Sequence, residues 1–280
     1  MTLRQDAGID VTVTANISFD LAAAPAVTPR PESAKRDIGG VGIAALTREE
    51  ALALLGDAID RRDHVKLAFC NAHLVNLAAG DAELQRVLAR FLVLSDGIGV
   101  DIASRLLHGA SFPANLNGTD FTPALLAAHE RPLKVMLLGG RPGIAERAAA
   151  RLAQGFERHR FEVLSHGYFS PAEEAGLLER LRKARPDLLL VAFGNPLQER
   201  WIAEKLDVRH ASIAAGVGAL FDFLAGEVTR APGAIRQMRL EWLYRLWLEP
   251  ARLWRRYVLG NPAFLLRMLR LKFFGRRPAR

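Results

Sequence analysis

The strongest constraint on this chain is a repeated alternation. Short, mostly apolar runs recur at residues 65–70, 92–94, 133–138, 161–164, 188–193 and 211–215, and the run 188–193 has no polar face at all. Stretches with helical spacing separate them, at 49–59, 74–79, 82–91, 101–107, 121–129, 144–155, 171–184 and 201–206. A strand that is apolar on both sides must be covered on both sides. Strands of that kind alternating with helices imply an α/β fold, a doubly wound, mostly parallel Rossmann-like sheet. Thr47 with Glu50 reads as a capping box for the first helix. Asp101, just before Ile102, reads as an N-cap.

The ends of the chain differ from this middle. Residues 1–38 mix Thr, Ala, Pro and single charges without periodicity and are expected to be a mobile leader with one short strand at most. The α/β body then spans 39–231. From Pro232 the chain becomes rich in Trp, Leu and Arg, and 232–280 is expected to form a basic helical appendage outside the sheet. Helices are predicted there over 235–247, 251–259 and 264–274, with Pro250 restarting the chain and Gly260-Asn261-Pro262 breaking it. A chain cut after about residue 232 is expected to leave a soluble sheet domain with little activity.

Charge follows the same division. The net charge is +8, yet from Arg230 onward thirteen Lys and Arg face two acids, a net of +11 that leaves −3 for the rest. Such asymmetry points to an anionic partner at the tail, whether membrane surface, nucleic acid or phosphorylated substrate. Trp242, Trp247, Trp254 and Tyr257 between the basic residues favour a membrane interface or a protein contact over free solvent. No apolar run is long enough to span a bilayer, no basic-then-apolar signal opens the chain, and Cys70 is its single cysteine. These features suit a cytoplasmic protein.

Ligands of open α/β sheets bind at the carboxyl ends of the strands, so the polar residues that follow each apolar run are the candidate site. Gly194-Asn195-Pro196 ends one run, and Gln198 and Glu199 open the next helix; ordinary turn chemistry would also explain that tripeptide. Asp96, between Ser95 and Gly97, could accept a proton from a hydroxyl, or simply hold a turn. Asn71 ends another strand at the same edge, where an amide can bind hydroxyls. Gly139-Gly140-x-x-Gly143 is a phosphate-cradle candidate, although a plain turn has the same sequence. His73 and His166 are read as packed or capping side chains. Arg245, Arg252 and Arg256 recur at seven and four residues, near one helical face. No D-x-D pair and no Cys/His cluster is present. A diphosphate would therefore be met by arginines and helix N-termini, without a metal.

These motifs together resemble the WecG/TagA/CpsF glycosyltransferases over about residues 41–268. The resemblance rests on Asn71-Ala72-His73, residues 95–100, Asn117-Gly118-Thr119-Asp120, Leu138-Gly139-Gly140, Gly167-Tyr168-Phe169 and residues 194–201. Residues 216–222, Arg230-Ala231-Pro232, residues 241–245 and Glu249-Pro250 complete the family's order. It implies transfer of a sugar from a UDP-sugar (ManNAc, ManNAcA, Glc or similar) to a polyprenyl-diphosphate-linked sugar. The transfer would be inverting, β-forming and metal-independent, at the inner face of the cell membrane, in surface-polysaccharide synthesis. By this likeness Asp96 is the general base, Gln198 holds the donor or the developing charge, and Arg245 and Arg252 bind the diphosphate. Asp96, Gln198 and Asn71 are the candidate catalytic residues. Gly139, Gly140, Gly194, Asn195, Glu199, Gly216, Gly218, Asp222, Arg230, Arg245 and Arg252 are the candidate substrate-binding residues.

Two positions depart from the family pattern. Phe69 stands where a Thr is common, and Asn115 where an Arg is common; either could change the sugar. Two other readings are an NAD(P)-dependent oxidoreductase and a non-catalytic membrane or nucleic-acid binder. The first lacks G-x-G-x-x-G, and the second leaves the polar loops of the body without a role. Nucleic acid is accordingly not expected as a partner. The apolar tail is compatible with a homo-oligomer.

Overall fold

The computed structural model describes residues 35–233, 235, 238 and 240–275. Most of the expected leader, residues 1–34, and the last five residues lie outside that range. So does part of the helix expected over 235–247.

The fold begins inside the expected leader. Strand β1 (Lys35–Asp37) pairs antiparallel with β2 (Gly42–Ala44). Ile38, in the turn between them, is fully buried. The boundary placed at residue 38 was therefore too late: the apolar Ile38 and Val41 anchor this hairpin in the core.

Six parallel strands form the main sheet in the order β4-β3-β8-β7-β5-β6. They are β3 (Val65–Cys70), β4 (Leu92–Ser95), β5 (Lys134–Gly139), β6 (Arg160–Ser165), β7 (Leu188–Ala192) and β8 (Ile213–Gly216). All five residues of β7 are buried, as an apolar run without a polar face requires. One face of the sheet carries α2 (Ala72–Ala78), α3 (Ala82–Leu88), α4 (Ile98–His108), α7 (Pro171–Ala184) and α8 (Leu197–Lys205). The other carries α1 (Arg48–Arg61), α5 (Gly118–Ala128), α6 (Ile144–Gly155) and α9 (Leu220–Leu224). The chain leaves β5 toward β6 over one face and leaves β7 toward β8 over the other. Between β5 and β7 the connections diverge, the switch point of the sheet.

Local signals mostly act as expected. Thr47 and Glu50 close the capping box of α1. Asp101 does not cap α4: the helix starts three residues earlier, at Ile98, behind Gly97. Asp101 lies inside it, buried, and its Oδ1 accepts the Phe112 backbone N–H at 3.1 Å. The buried carboxylate is needed by the loop that follows the helix.

The tail is only partly an appendage. Helix α10 (Glu241–Leu248) ends at Glu249, and Pro250 starts the short α11 (Pro250–Trp254). A π-helical turn (Arg255–Leu259) then runs without interruption into α12 (Gly260–Phe274). The expected break at Gly260-Asn261-Pro262 is absent. The carbonyl four residues before Pro262 belongs to Val258, inside the widened turn, which makes room for the proline ring.

Helix α12 packs on α2 and α4. Phe264 and Met268 are 1% and 0% exposed and belong to the core of that face of the sheet. Asn76 of α2 donates to the Gly260 carbonyl at 2.7 Å and accepts from Arg267. The expectation that 232–280 lies outside the sheet domain is corrected for α12. A cut near residue 232 would expose the core around Ile38, Val75 and Val100, so a stable fragment is no longer expected.

Candidate functional site

A cavity of about 630 Å³ lies at the carboxyl edge of β3 and β4. Its polar floor includes Asn71, Asp96, Asn115, Asn117, Thr119 and Asp120, and α10, the π-helical turn and the start of α12 form its roof. Asp96 follows β4 directly, and its backbone N–H continues the ladder to the Cys70 carbonyl at 2.9 Å. Asn71 follows β3. Its Oδ1 caps α2 by accepting the N–H groups of His73 and Leu74 at 3.1 and 3.2 Å. Its Nδ2 donates to Asp96 Oδ2 at 3.3 Å. One side chain thus starts a helix and orients the carboxylate on the neighbouring strand. Gly97, at φ 89°, turns the chain after Asp96, and its N–H is held by Asn115 Oδ1 at 2.7 Å.

The floor is fixed from its far side. Asp120 accepts from Asn117 Nδ2 at 2.9 Å and from Arg230 Nη2 at 2.7 Å. Arg230, a candidate binding residue, therefore reaches the cavity wall through Asp120, with Glu241 4.0 Å from its Nε. Phe69 does not face the cavity. It is buried against Phe121 and fills the space that the missing Cβ of Gly118 leaves, so its ring belongs to the core. Asn115 contributes its amide to the Asp96 turn, which an Arg would do differently.

Arg245 and Arg256, with Glu241 beside them, form the charged part of the roof. Arg245 lies over the Phe223 ring at 5.1 Å and Arg256 over the Tyr257 ring at 5.4 Å. The Nε atoms of both are buried and have no hydrogen-bond partner. Burial pulls the Arg256 pKa down. Burial also pushes the Asp96 carboxyl up, while the Asn71 hydrogen bond and the two guanidinium groups oppose it. Two half-buried cations, each with a buried and partnerless Nε, thus sit opposite the Asp96 carboxylate without pairing to it, an arrangement that leaves room and charge for an anion. His73 lines the same cavity. Burial, with Arg256 second, lowers its pKa to about 4, so it is a neutral imidazole at pH 7.

Arg252 is not part of this roof. It is exposed and ion-paired with Glu249. The expected common face assumed one continuous helix. The interruption at Glu249 and the widened turn at 255–259 change the phase, and Arg256 takes the place given to Arg252. Asp222, half-buried, lies instead among Arg252, Arg141 and Arg245, and burial raises its pKa against their pull.

The second group of candidates stands at β7 and β8 and is closed. Gln198 is 2% exposed. Its Oε1 accepts the N–H groups of Gly194 and Gly218, both at 3.1 Å, and its Nε2 donates to Glu199 Oε1 at 2.9 Å. Asn195 Nδ2 donates to the same Glu199 oxygen at 2.6 Å. A Cβ on Gly216 would meet Gln198 Nε2 at 2.7 Å, so glycine there makes room for the amide. Gln198 is placed to fix two loops, and it does not line the Asp96 cavity. Glu199 is fully buried and its Oε2 has no partner; burial raises its pKa to about 7.

Gly139 and Gly140 are likewise engaged. A Cβ on Gly139 would lie 2.5 Å from the Ala192 carbonyl oxygen. The Gly140 N–H donates to that carbonyl at 3.0 Å, and its own carbonyl accepts the Gly167 N–H at 2.8 Å. The double glycine lets β5 and β7 close together. The amide at 140 is thereby occupied within the chain. His166 accepts the Tyr168 N–H at 3.1 Å and stabilises a turn.

Sequence reasoning named Asp96, Asn71 and Arg245 and the structure brings them together. It treated His73 as packing and left Arg256 out of the binding set. The signal for both was present, in the Asn71-Ala72-His73 motif and in the arginine spacing.

The model of the glycosyl transferase WecG/TagA/CpsF family matches residues 36–278. The chain belongs to this family. A relative in Bacillus subtilis (strain 168) is 28% identical over 214 residues, 76% of this chain and 82% of its own length. One in Bacillus spizizenii (strain ATCC 23059 / NRRL B-14472 / W23) is 32% identical over 179 residues, 64% and 68% respectively. Each is an N-acetylglucosaminyldiphosphoundecaprenol N-acetyl-beta-D-mannosaminyltransferase. Family membership makes the chain a glycosyltransferase of polysaccharide synthesis and replaces both the oxidoreductase and the non-catalytic readings. Among the described residues no helix is long and apolar enough to cross a membrane.

Proposed function

We propose that the protein transfers a sugar from a UDP-sugar to a sugar carried on a polyprenyl diphosphate, with inversion, in the cavity beside Asp96. The supporting observation is the pair Arg245 and Arg256, half-buried, with buried and partnerless Nε atoms, opposite Asp96. Asp96 accepts the proton of the attacking hydroxyl. That oxygen bonds to the anomeric carbon from the side opposite UDP, and the bond to the diphosphate oxygen breaks with its electron pair on the leaving group. The guanidinium groups meet the charge that develops there. Asn71 keeps the carboxylate aimed, and the Gln198–Glu199 network holds the Gly194 and Gly218 loops at the same edge.

The relatives' acceptor supports the lipid-linked substrate, and the tail supports attachment to the inner face of the membrane. Trp247, Trp254, Leu266 and Phe273 are exposed there beside basic residues, which suits a peripheral contact with anionic lipid. Arginine in the role of a metal makes the reaction metal-independent. Excess EDTA is expected to leave the rate unchanged. Thermal-shift screening against a panel of UDP-sugars tests the reading: one sugar should raise Tm in wild type and less in Arg245→Gln. Stabilisation by no UDP-sugar would count against the donor class.

A further inference from the structure

The reaction accounts for the polar floor and the two arginines, but not for a second cavity alongside. This cavity, of about 550 Å³, shares Ile98 and Ile102 with the first and extends to Arg105 and Lys272. Ile98, Ile102 and Arg105 follow one another at four and three residues, on one stripe of α4. Leu265, which lines the first cavity, Leu269 and Lys272 repeat that spacing on α12. The two helices pack against each other. Apolar side chains stay partly open to solvent along this line: Ile102 is 45% exposed, Leu265 37% and Leu269 42%. A line of partly exposed apolar side chains on α4 and α12 therefore runs from the Asp96 cavity to the second, whose wall also holds Asp101, Ser111, Arg105 and Lys272.

We propose that this line is a channel that takes the first units of the acceptor's prenyl chain, which rests on the lipid-linked reading above. The wall that the two cavities share selects the occupant. A lipid whose diphosphate lies under Arg245 and Arg256 must lead its chain away from the polar floor, and Ile98 and Ile102 are the apolar side chains common to both spaces. Seven residues of helix from Ile98 to Arg105 give the channel a length of about 10 Å. Arg105 and Lys272 can lay their apolar stems along the chain and keep their charged heads in water or at lipid phosphates.

The test is photo-crosslinking of the full chain with geranylgeranyl diphosphate carrying a diazirine near the diphosphate end, below its micellar concentration, followed by peptide mapping. Label is expected on the peptides holding Ile102 and Leu269. Ile102→Asp and Leu269→Asp should each reduce it at least fivefold with Tm unchanged, because both side chains are partly exposed. Mapping on the wild-type chain stands without either variant. Label confined to the Trp247 and Trp254 surface, or no saturable label, would overturn the channel. Label in the channel of a protein that transfers no sugar would uphold the channel and remove the reaction; transfer with label elsewhere would do the reverse.

Discussion

The β3–β4 end of the sheet and the β7–β8 end carry similar residues at the same carboxyl edge, yet they do opposite things. Asp96 and Asn71 open into a cavity, with one hydrogen bond between them and two partnerless guanidinium Nε atoms above. Gln198, Glu199 and Asn195 are turned inward, and the Gln198 amide satisfies two backbone N–H groups and a carboxylate. Unused capacity on two cations beside an open cavity marks the place for an anion; the Gln198 amide, spent within the chain, marks a brace, although Glu199 Oε2 behind it keeps no partner. Substitutions should therefore separate the two ends, with activity lost alone at the first and stability lost along with it at the second.

Next to Asp96 itself, the largest loss is expected from replacing Arg245 and Arg256 with Gln together. Removing donors aimed at developing charge lowers kcat by roughly 100- to 1,000-fold, and Tm should hold because neither Nε has a hydrogen-bond partner to lose. A fall in Tm with kcat retained would place the arginines in the brace. Gln198→Ala strips partners from two loop amides and a buried carboxylate. It should lower stability by about 1–3 kcal/mol and reduce kcat/KM in parallel, as read by denaturant melts and initial rates on one preparation. A full loss of rate at unchanged stability would move Gln198 into direct contact with substrate.

A smaller effect separates the two carboxylates by pH. Glu199 holds its proton in the folded state up to about pH 7, against an ordinary glutamate value of 4.5. The folded state then binds more protons than the unfolded one between those values, so stability falls as pH rises through that window. Glu199→Gln should flatten this slope, which a Tm series from pH 4.5 to 8 would show. At the other end the raised Asp96 pKa acts on rate: kcat/KM should fall in acid through an apparent pKa above the ordinary Asp value of about 3.9. The smallest effect is expected at His73. Already neutral at pH 7, it should leave the pH profile unmoved when changed to Asn, with a few-fold rise in acceptor KM.

The sheet was legible because β5, β7 and β8 are apolar on both sides, and only a covered parallel strand tolerates that. Asp96 and Asn71 were legible because each directly follows such a run. Gln198 was placed at the right edge but with the wrong orientation. Whether a polar side chain after a strand faces out or in depends on the neighbouring loop, here on the missing Cβ of Gly216. Gly139-Gly140 has a packing role that the sequence did not show: a double glycine admits a neighbouring strand as readily as a phosphate. The tail was misread where local breakers met tertiary contacts. Gly260-Asn261-Pro262 is a sound stop signal, but a π-helical turn absorbs the proline and the contacts of Phe264 and Met268 hold the helix on the sheet domain. The spacing named Arg245, Arg252 and Arg256 together, but it did not reveal that Arg252 pairs with Glu249 outside the cavity while Arg256 lines it.

The most direct test of the central claim is the transfer rate of purified Asp96→Asn, with its Tm and its UDP-sugar binding measured on the same sample. A positioned base contributes about 10²–10⁴-fold. The Asn variant should fold and bind the donor as wild type does while transfer falls by that factor. Transfer within a few-fold of wild type, from a folded and donor-binding variant, would mean that another group takes the proton and that this cavity is not organised around Asp96.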